Sequence, residues 1–80
     1  MANQKLQDLT EEENKTVLIP GTIISYQDAS NSPMEAVVIA RKPCKWQREK
    51  IVIRWFNSSI YESYGVFGFQ PGWELVRVAG

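Results

Sequence analysis

From residue 21 onward, the apolar and polar positions fall into short β-type runs separated by turn-forming residues. GTIISY, Gly21–Tyr26, is β-branched and aromatic, with Pro20 before it and QDASNSP after it. MEAVVIAR, Met34–Arg41, has an apolar centre at Val37, Val38 and Ile39. KIVIRWF, Lys50–Phe56, alternates most clearly: Ile51, Ile53 and Trp55 share one face, and Lys50, Val52, Arg54 and Phe56 share the other. WELVRV, Trp73–Val78, is the last, and GVFGF, Gly65–Phe69, predicts a shorter strand before it. Composition, length and flanking turn residues together give these the character of strands. The links are QDASNSP, KPCKWQRE, NSSIYESY and QPG. Asp, Ser and Asn in the first favour turns through side-chain–backbone bonds, and Pro fixes φ. Gly65, Gly68 and Gly72 permit sharp bends at the aromatic-rich end.

Residues 1–16 are different. They are polar, and Thr10 followed by Glu13 has the form of a capping box, with acids in the first helical turn. This predicts a short helix over residues 11–16. So short a helix is marginal alone, and a flexible or disordered acidic arm is the alternative. Pro20-Gly21 stops anything helical. The expected organisation is an arm over 1–16 and a β domain over 17–80. Five short strands must manage their open edges, and a small closed or nearly closed barrel does so with little chain. The predicted fold class is therefore all-β: a five-stranded small barrel with a short helical or flexible N-terminal arm.

The succession IPGTIISY, AVVIA, VIRW, an aromatic-glycine stretch and WELVRV is similar to SH3-like small barrels of the KOW, Tudor and photosystem-subunit type. It also resembles short SH3-like proteins encoded by bacteriophages. The resemblance runs over residues 19–78 and rests on the spacing of strands. An ALYDY-like strand and a paired Trp-Trp are absent, so the resemblance does not imply binding of Pro-rich peptides. It implies a fold and no particular site, because such barrels host many functions. A phage origin would imply a viral protein working in the host cytoplasm on a host enzyme, a defence factor or a viral assembly.

Composition sharpens the picture. The chain has 80 residues, enough for one domain that buries roughly 60% of its unfolded surface. Three Trp, three Tyr and three Phe supply large apolar area to that small core. Nine cations balance nine acids, but unevenly. Residues 1–15 carry a net of −2, residues 41–54 a net of +5, and the remainder −3. A local excess of one sign steers partner choice even at zero total charge. The single cysteine, Cys44, excludes an internal disulfide and fits a reducing compartment. MANQKLQDL lacks the apolar stretch of a signal peptide, and no apolar run approaches membrane-spanning length. The expectation is a cytoplasmic protein with no membrane contact.

Catalysis is not expected. The chain has no histidine, which removes the commonest general base and zinc ligand. Lys42 and Lys45 flank Cys44 and favour its thiolate, but a nucleophile needs an orienting base and none accompanies it. Cys44 therefore reads as an incidental reduced thiol. Glu11, Glu12 and Glu13 are adjacent acids that do not converge on a metal, and no P-loop or dinucleotide fingerprint is present. No catalytic residue, cofactor or metal site is predicted.

The concentrated signal is RKPCKWQREK. Arg41, Lys42, Lys45, Arg48 and Lys50 surround Trp46, opposed by Glu49 alone, and Arg54 lies further along the same hairpin. Loops carry recognition on a rigid scaffold, Pro43 stiffens this one, and Trp and Arg dominate interface hot spots. Arg41, Lys42, Lys45, Trp46, Arg48, Lys50 and Arg54 are the predicted partner-binding set. The alternative is solvated cations with Trp46 folded onto the barrel. A second, aromatic surface is predicted at Tyr61 and Tyr64, with Phe67 and Trp73 assigned to the core; the alternative is that Tyr61, Tyr64, Phe67, Phe69 and Trp73 all fill the barrel.

Three functions fit. The first is a protein-binding module docking through the basic loop on a larger protein with an acidic surface, with Trp46 as anchor. The second is contact with RNA or DNA through the same loop, since cations beside a stacking aromatic suit single strands. An isoelectric point near 6.2 weighs against it. The third is an architectural subunit filling a gap in a larger complex. The chain is expected to act as a monomer or as a dimer through an edge strand.

Overall fold

The computed structural model describes residues 4–27, 32–43, 49–65 and 69–79. Five antiparallel strands, β1 (Ile23–Tyr26), β2 (Met34–Lys42), β3 (Lys50–Trp55), β4 (Tyr61–Gly65) and β5 (Trp73–Arg77), form one sheet in the order β4-β3-β2-β1-β5. The first four strands form a meander, and the last returns beside the first. Among the described residues, no helix is long and apolar enough to cross a membrane.

The alternation in KIVIRW sets the inner face. Ile51, Ile53 and Trp55 are buried, and Lys50, Val52 and Arg54 lie on the other side. Ala36 and Val38 of β2, Ile24 of β1 and Trp73 of β5 complete that face, with Leu6, Leu18 and Phe69 packed in from outside the strands. Burying an Ile side chain of this kind stabilises by roughly 1.5–3 kcal/mol. The ring of Trp73 is the hub. Its centroid lies 4.8 Å from that of Tyr26, 5.0 Å from Tyr64, 5.4 Å from Phe69 and 5.8 Å from Trp55. Tyr64 and Trp73 stand on the two edge strands, so the sheet curls until rings from its opposite edges meet. Gly72 makes the turn into β5. Its φ of 123° suits glycine, and a Cβ there would sit 2.7 Å from the Gln27 carbonyl oxygen.

Residues 4–17 pack on the sheet. A 3-10 turn spans Leu6–Asp8, and a helix, α1, spans Glu11–Val17. The Thr10 hydroxyl accepts from the Glu13 N–H (3.1 Å) while the Thr10 N–H donates to the Glu13 carboxylate (3.0 Å), the reciprocal capping box that the sequence spells. Leu6 enters the core, Lys5 bridges Glu74, and the Leu75 N–H donates to the Gln4 carbonyl (2.8 Å). Residues 4 and 5 thus cover the outer edge of β5 instead of extending as a free arm.

The fourth strand departs from expectation. It runs through Tyr61–Gly65, within NSSIYESY, which reads as a link; of the shorter strand expected over Gly65–Phe69, residues 66–68 lie outside the described residues. Asn57 to Ser59 supply the turn: Trp55 donates to the Ile60 carbonyl (3.3 Å), and the Ser58 hydroxyl accepts from the Ile60 N–H (3.2 Å). Pairing of Ile53 with Glu62 and of Ile51 with Tyr64 then turns Tyr64 inward. Phe69 is buried but lies outside a strand, and Phe67, expected in the core, lies outside the described residues.

Candidate docking surface

The chemistry of the β2–β3 hairpin turns on one irregularity. Val38 pairs with Ile53, but Ala40 pairs with Val52 and Arg41 with Ile51, so an extra residue sits between Val38 and Ala40. A bulge of this kind shifts the phase of alternation. Strict alternation after Val38 would send Arg41 outward and Lys42 inward. The bulge reverses both, and Ile39 is left exposed.

Arg41 therefore points into the protein, its side chain only 11% exposed. Its Nε–H donates to the Glu49 carboxylate (2.9 Å). One terminal nitrogen donates to the backbone carbonyls of Asn14 (2.8 Å) and Leu18 (3.3 Å), and the other to Asn14 Oδ1 (2.9 Å). The planar fork of donors matches this divergent set of acceptors, and a cation suits the carbonyl end of α1. Arg41 thus fastens α1 to the hairpin. Its place in the partner-binding set is corrected: the guanidinium is committed inside the fold.

Lys42, Lys50 and Arg54 remain on the outer face. Lys42 and Arg54 are exposed, and Lys50 is half-buried. Lys42 stands directly opposite Lys50 in the register, a like-charge pairing that weakens a sheet. Among the described residues, no ion pair or hydrogen bond reaches the side chain of any of the three. Tyr61 pairs with Arg54 across the β3–β4 ladder and is 58% exposed. The register thus places Tyr61 beside the basic strand pair on one solvent face. Lys45, Trp46 and Arg48 of the connecting segment, and Cys44 with them, lie outside the described residues.

Tyr64 belongs to the opposite face. It packs against the core cluster beside Trp73, which corrects its assignment to an exposed surface with Tyr61: the two are three positions apart, and an odd step along a strand changes the face. There Tyr26, Tyr64, Gln70 and Trp73 line an open cleft of about 290 Å³. Glu62 sits at the same end, accepting hydrogen bonds from the Tyr64 hydroxyl and from Trp55 Nε1 (3.1 Å). The Tyr64 hydrogen bond, followed by that from Trp55, holds the Glu62 carboxyl below the usual carboxylate range. Burial, reinforced by the Glu62 carboxylate, pushes the Tyr64 phenol up to about 12. Tyr26, Gln70 and Glu62 were not singled out by the sequence. The readable signal was the Pro71-Gly72 turn, which sets Gln70 next to the start of β5.

These side chains offer charge, aromatic surface and a shallow cleft. Among the described residues, no group of three or more His, Cys, Asp or Glu converges as a metal site. Comparison of the chain with protein-family models, curated proteins and solved structures returned no match.

Proposed function

We propose that this chain is a non-enzymatic protein-binding module of SH3-like type, docking on an acidic face of a larger protein through the outer face of the β2–β3 hairpin. The meander with β5 returning beside β1, and the curl that joins the two edges through their rings, support the SH3-like reading. The observation that carries the docking reading is the bulge. It turns one cation, Arg41, into the fold and leaves Lys42 and Lys50 facing each other outside it, with Arg54 further along the same face. Like charges held opposite each other oppose folding by a few tenths of a kcal/mol, and an acidic partner relieves that repulsion while speeding encounter. Lys45, Trp46 and Arg48 join the same hairpin end in sequence, which adds an aromatic anchor to the cations.

The test is capture from native lysate, with and without nuclease. The wild type is set beside a Lys42→Glu/Arg54→Glu variant and a Trp46→Ala/Arg48→Glu variant. A protein retained after nuclease and lost in both variants, at thermal stability no lower than that of the wild type, supports the reading. Recovery that depends on nucleic acid and falls steeply with salt replaces it with RNA or DNA contact, in which Tyr61 beside Arg54 would act as a stacking platform.

A further inference from the structure

The two edges of the sheet are finished differently. Residues 4 and 5 cover the outer edge of β5. The outer edge of β4 has no such cover among the described residues, and the hydrogen-bond phase shows which backbone groups it presents. In an antiparallel ladder, residue pairs alternate between exchanging both backbone hydrogen bonds and exchanging none. Trp55 donates to the Ile60 carbonyl, while on its other side β3 is joined to β2 by the Phe56 N–H donating to Glu35 (3.0 Å). Carried along the register, this phase directs the N–H and C=O of Glu62 and Tyr64 toward β3. Tyr61, Ser63 and Gly65 therefore aim theirs away from the sheet, and among the described residues no backbone hydrogen bond meets them.

We propose that this edge pairs with the same edge of a second copy of the chain, antiparallel about a two-fold axis through Ser63. The register that uses all the outward groups sets Ser63 against Ser63 and Tyr61 against Gly65 twice over, giving about six backbone hydrogen bonds. The side chains fit that register. Nothing lies within 4 Å of where a Cβ on Gly65 would sit, so the exposed ring of Tyr61 from the other copy has room to lie over it, as aromatic side chains do over cross-strand glycines. On the inner face, Glu62 comes opposite Tyr64 of the second copy, so no like charges stand directly opposed. Edge strands are usually protected by Lys, Pro or an inward charge. YESYG has neither Lys nor Pro. Its inward charge, Glu62, is already held within its own chain by Tyr64 and Trp55. Self-complementarity of this kind is what an isologous interface requires. Five residues of edge bury less than the ~1,200 Å² of a standard stable interface, so the dimer is reversible, with a dissociation constant in the micromolar to millimolar range. It joins two sheets side by side and sets two basic hairpin faces in one assembly. The inference does not rest on the docking reading, since self-association is measured without a partner.

The experiment is sedimentation equilibrium of the full chain over micromolar to millimolar concentration. The mass of the wild type should climb from the 9.2 kDa of one chain toward about twice that. Ser63→Pro removes an outward N–H that the chain's own fold does not use, and should hold the mass at one chain. Tyr61→Lys/Gly65→Lys and Tyr61→Glu/Gly65→Glu test the register without a proline. Each sets like charges directly opposite and should stay monomeric alone, and mixing the two should restore the dimer. A wild type that remains monomeric to millimolar concentration overturns the proposal. So does a dimer that persists in all the variants, which would place the contact elsewhere.

Discussion

Arg41 and Lys42 are neighbours in sequence and opposites in the fold. Arg41 lies on the inner side of the hairpin, satisfied by one carboxylate and three acceptors of α1 and its C-terminal end. Lys42 lies on the outer side, opposite another lysine. The difference is not in the residue types alone, since both carry a full positive charge. It is set by a single extra residue after Val38. A cation turned inward must find partners or be excluded, because an unpaired buried charge costs several kcal/mol. A cation turned outward need not, and is left available.

The contrast can be broken at its strongest point first. Ile53 is fully buried on the inner face, and Ile53→Ala should destabilise by about 3–4 kcal/mol through cavity formation, read as a drop in urea midpoint. A change under about 1 kcal/mol would contradict its inward placement. Arg41→Ala removes four hydrogen bonds, including the ion pair with Glu49, and should cost about 3 kcal/mol. Arg41→Lys should recover only part of this, because an ammonium lacks the fork. Equal stability of the alanine variant and the wild type would return Arg41 to the outer set.

A smaller effect comes from the Glu62–Tyr64 pair. The Tyr64 phenol is raised from 10.0 to about 12 in the folded protein. Its contribution is therefore complete below pH 10 and lost as the pH climbs toward 12, where the unfolded chain has already released the proton. The Glu62 carboxyl is lowered from 4.5, so its contribution is present above that pH and lost on acidification below it. Thermal melts against pH should show both declines, and Tyr64→Phe should flatten the alkaline one. An alkaline decline of the same size in Tyr64→Phe would assign it to other groups.

The smallest effect has the opposite sign. Lys42→Glu turns a like-charge pair into an opposite-charge pair with Lys50, and should stabilise by a few tenths of a kcal/mol. The same change should weaken docking on an acidic partner. A variant that gains stability and keeps full partner affinity would remove Lys42 from the docking surface.

Much of the sheet is legible in the sequence. Ile51, Ile53 and Trp55 alternate cleanly against Lys50, Val52 and Arg54, and the strand follows that pattern. Thr10 and Glu13 announce the helix, and both halves of their capping box form. The inner or outer fate of Arg41 is not legible. AVVIAR contains no glycine or proline to mark a bulge, and the extra residue emerges only when two strands are paired. The strand at Tyr61–Gly65 is hidden for a related reason. Asn57 to Ser59 make one tight turn, but Ser63 and Glu62 have low strand propensity and disguise YESYG as more of the same link. The aromatic cleft depends on contact between the two edge strands, which no local pattern encodes.

The position of Arg41 also makes one end of the helix depend on the hairpin. Helix α1 has seven residues, too few to persist in water unaided. The carbonyls of Asn14 and Leu18 meet a guanidinium 27 and 23 residues away along the chain. That guanidinium faces them only once β2 and β3 have paired with the bulge in place. This clasp on the helix therefore exists only with the hairpin in place, although the helix is synthesised first. The segment from Gln4 to Val17 is the part expected to open and exchange its amide protons by a local excursion, while the hairpin exchanges only through global unfolding.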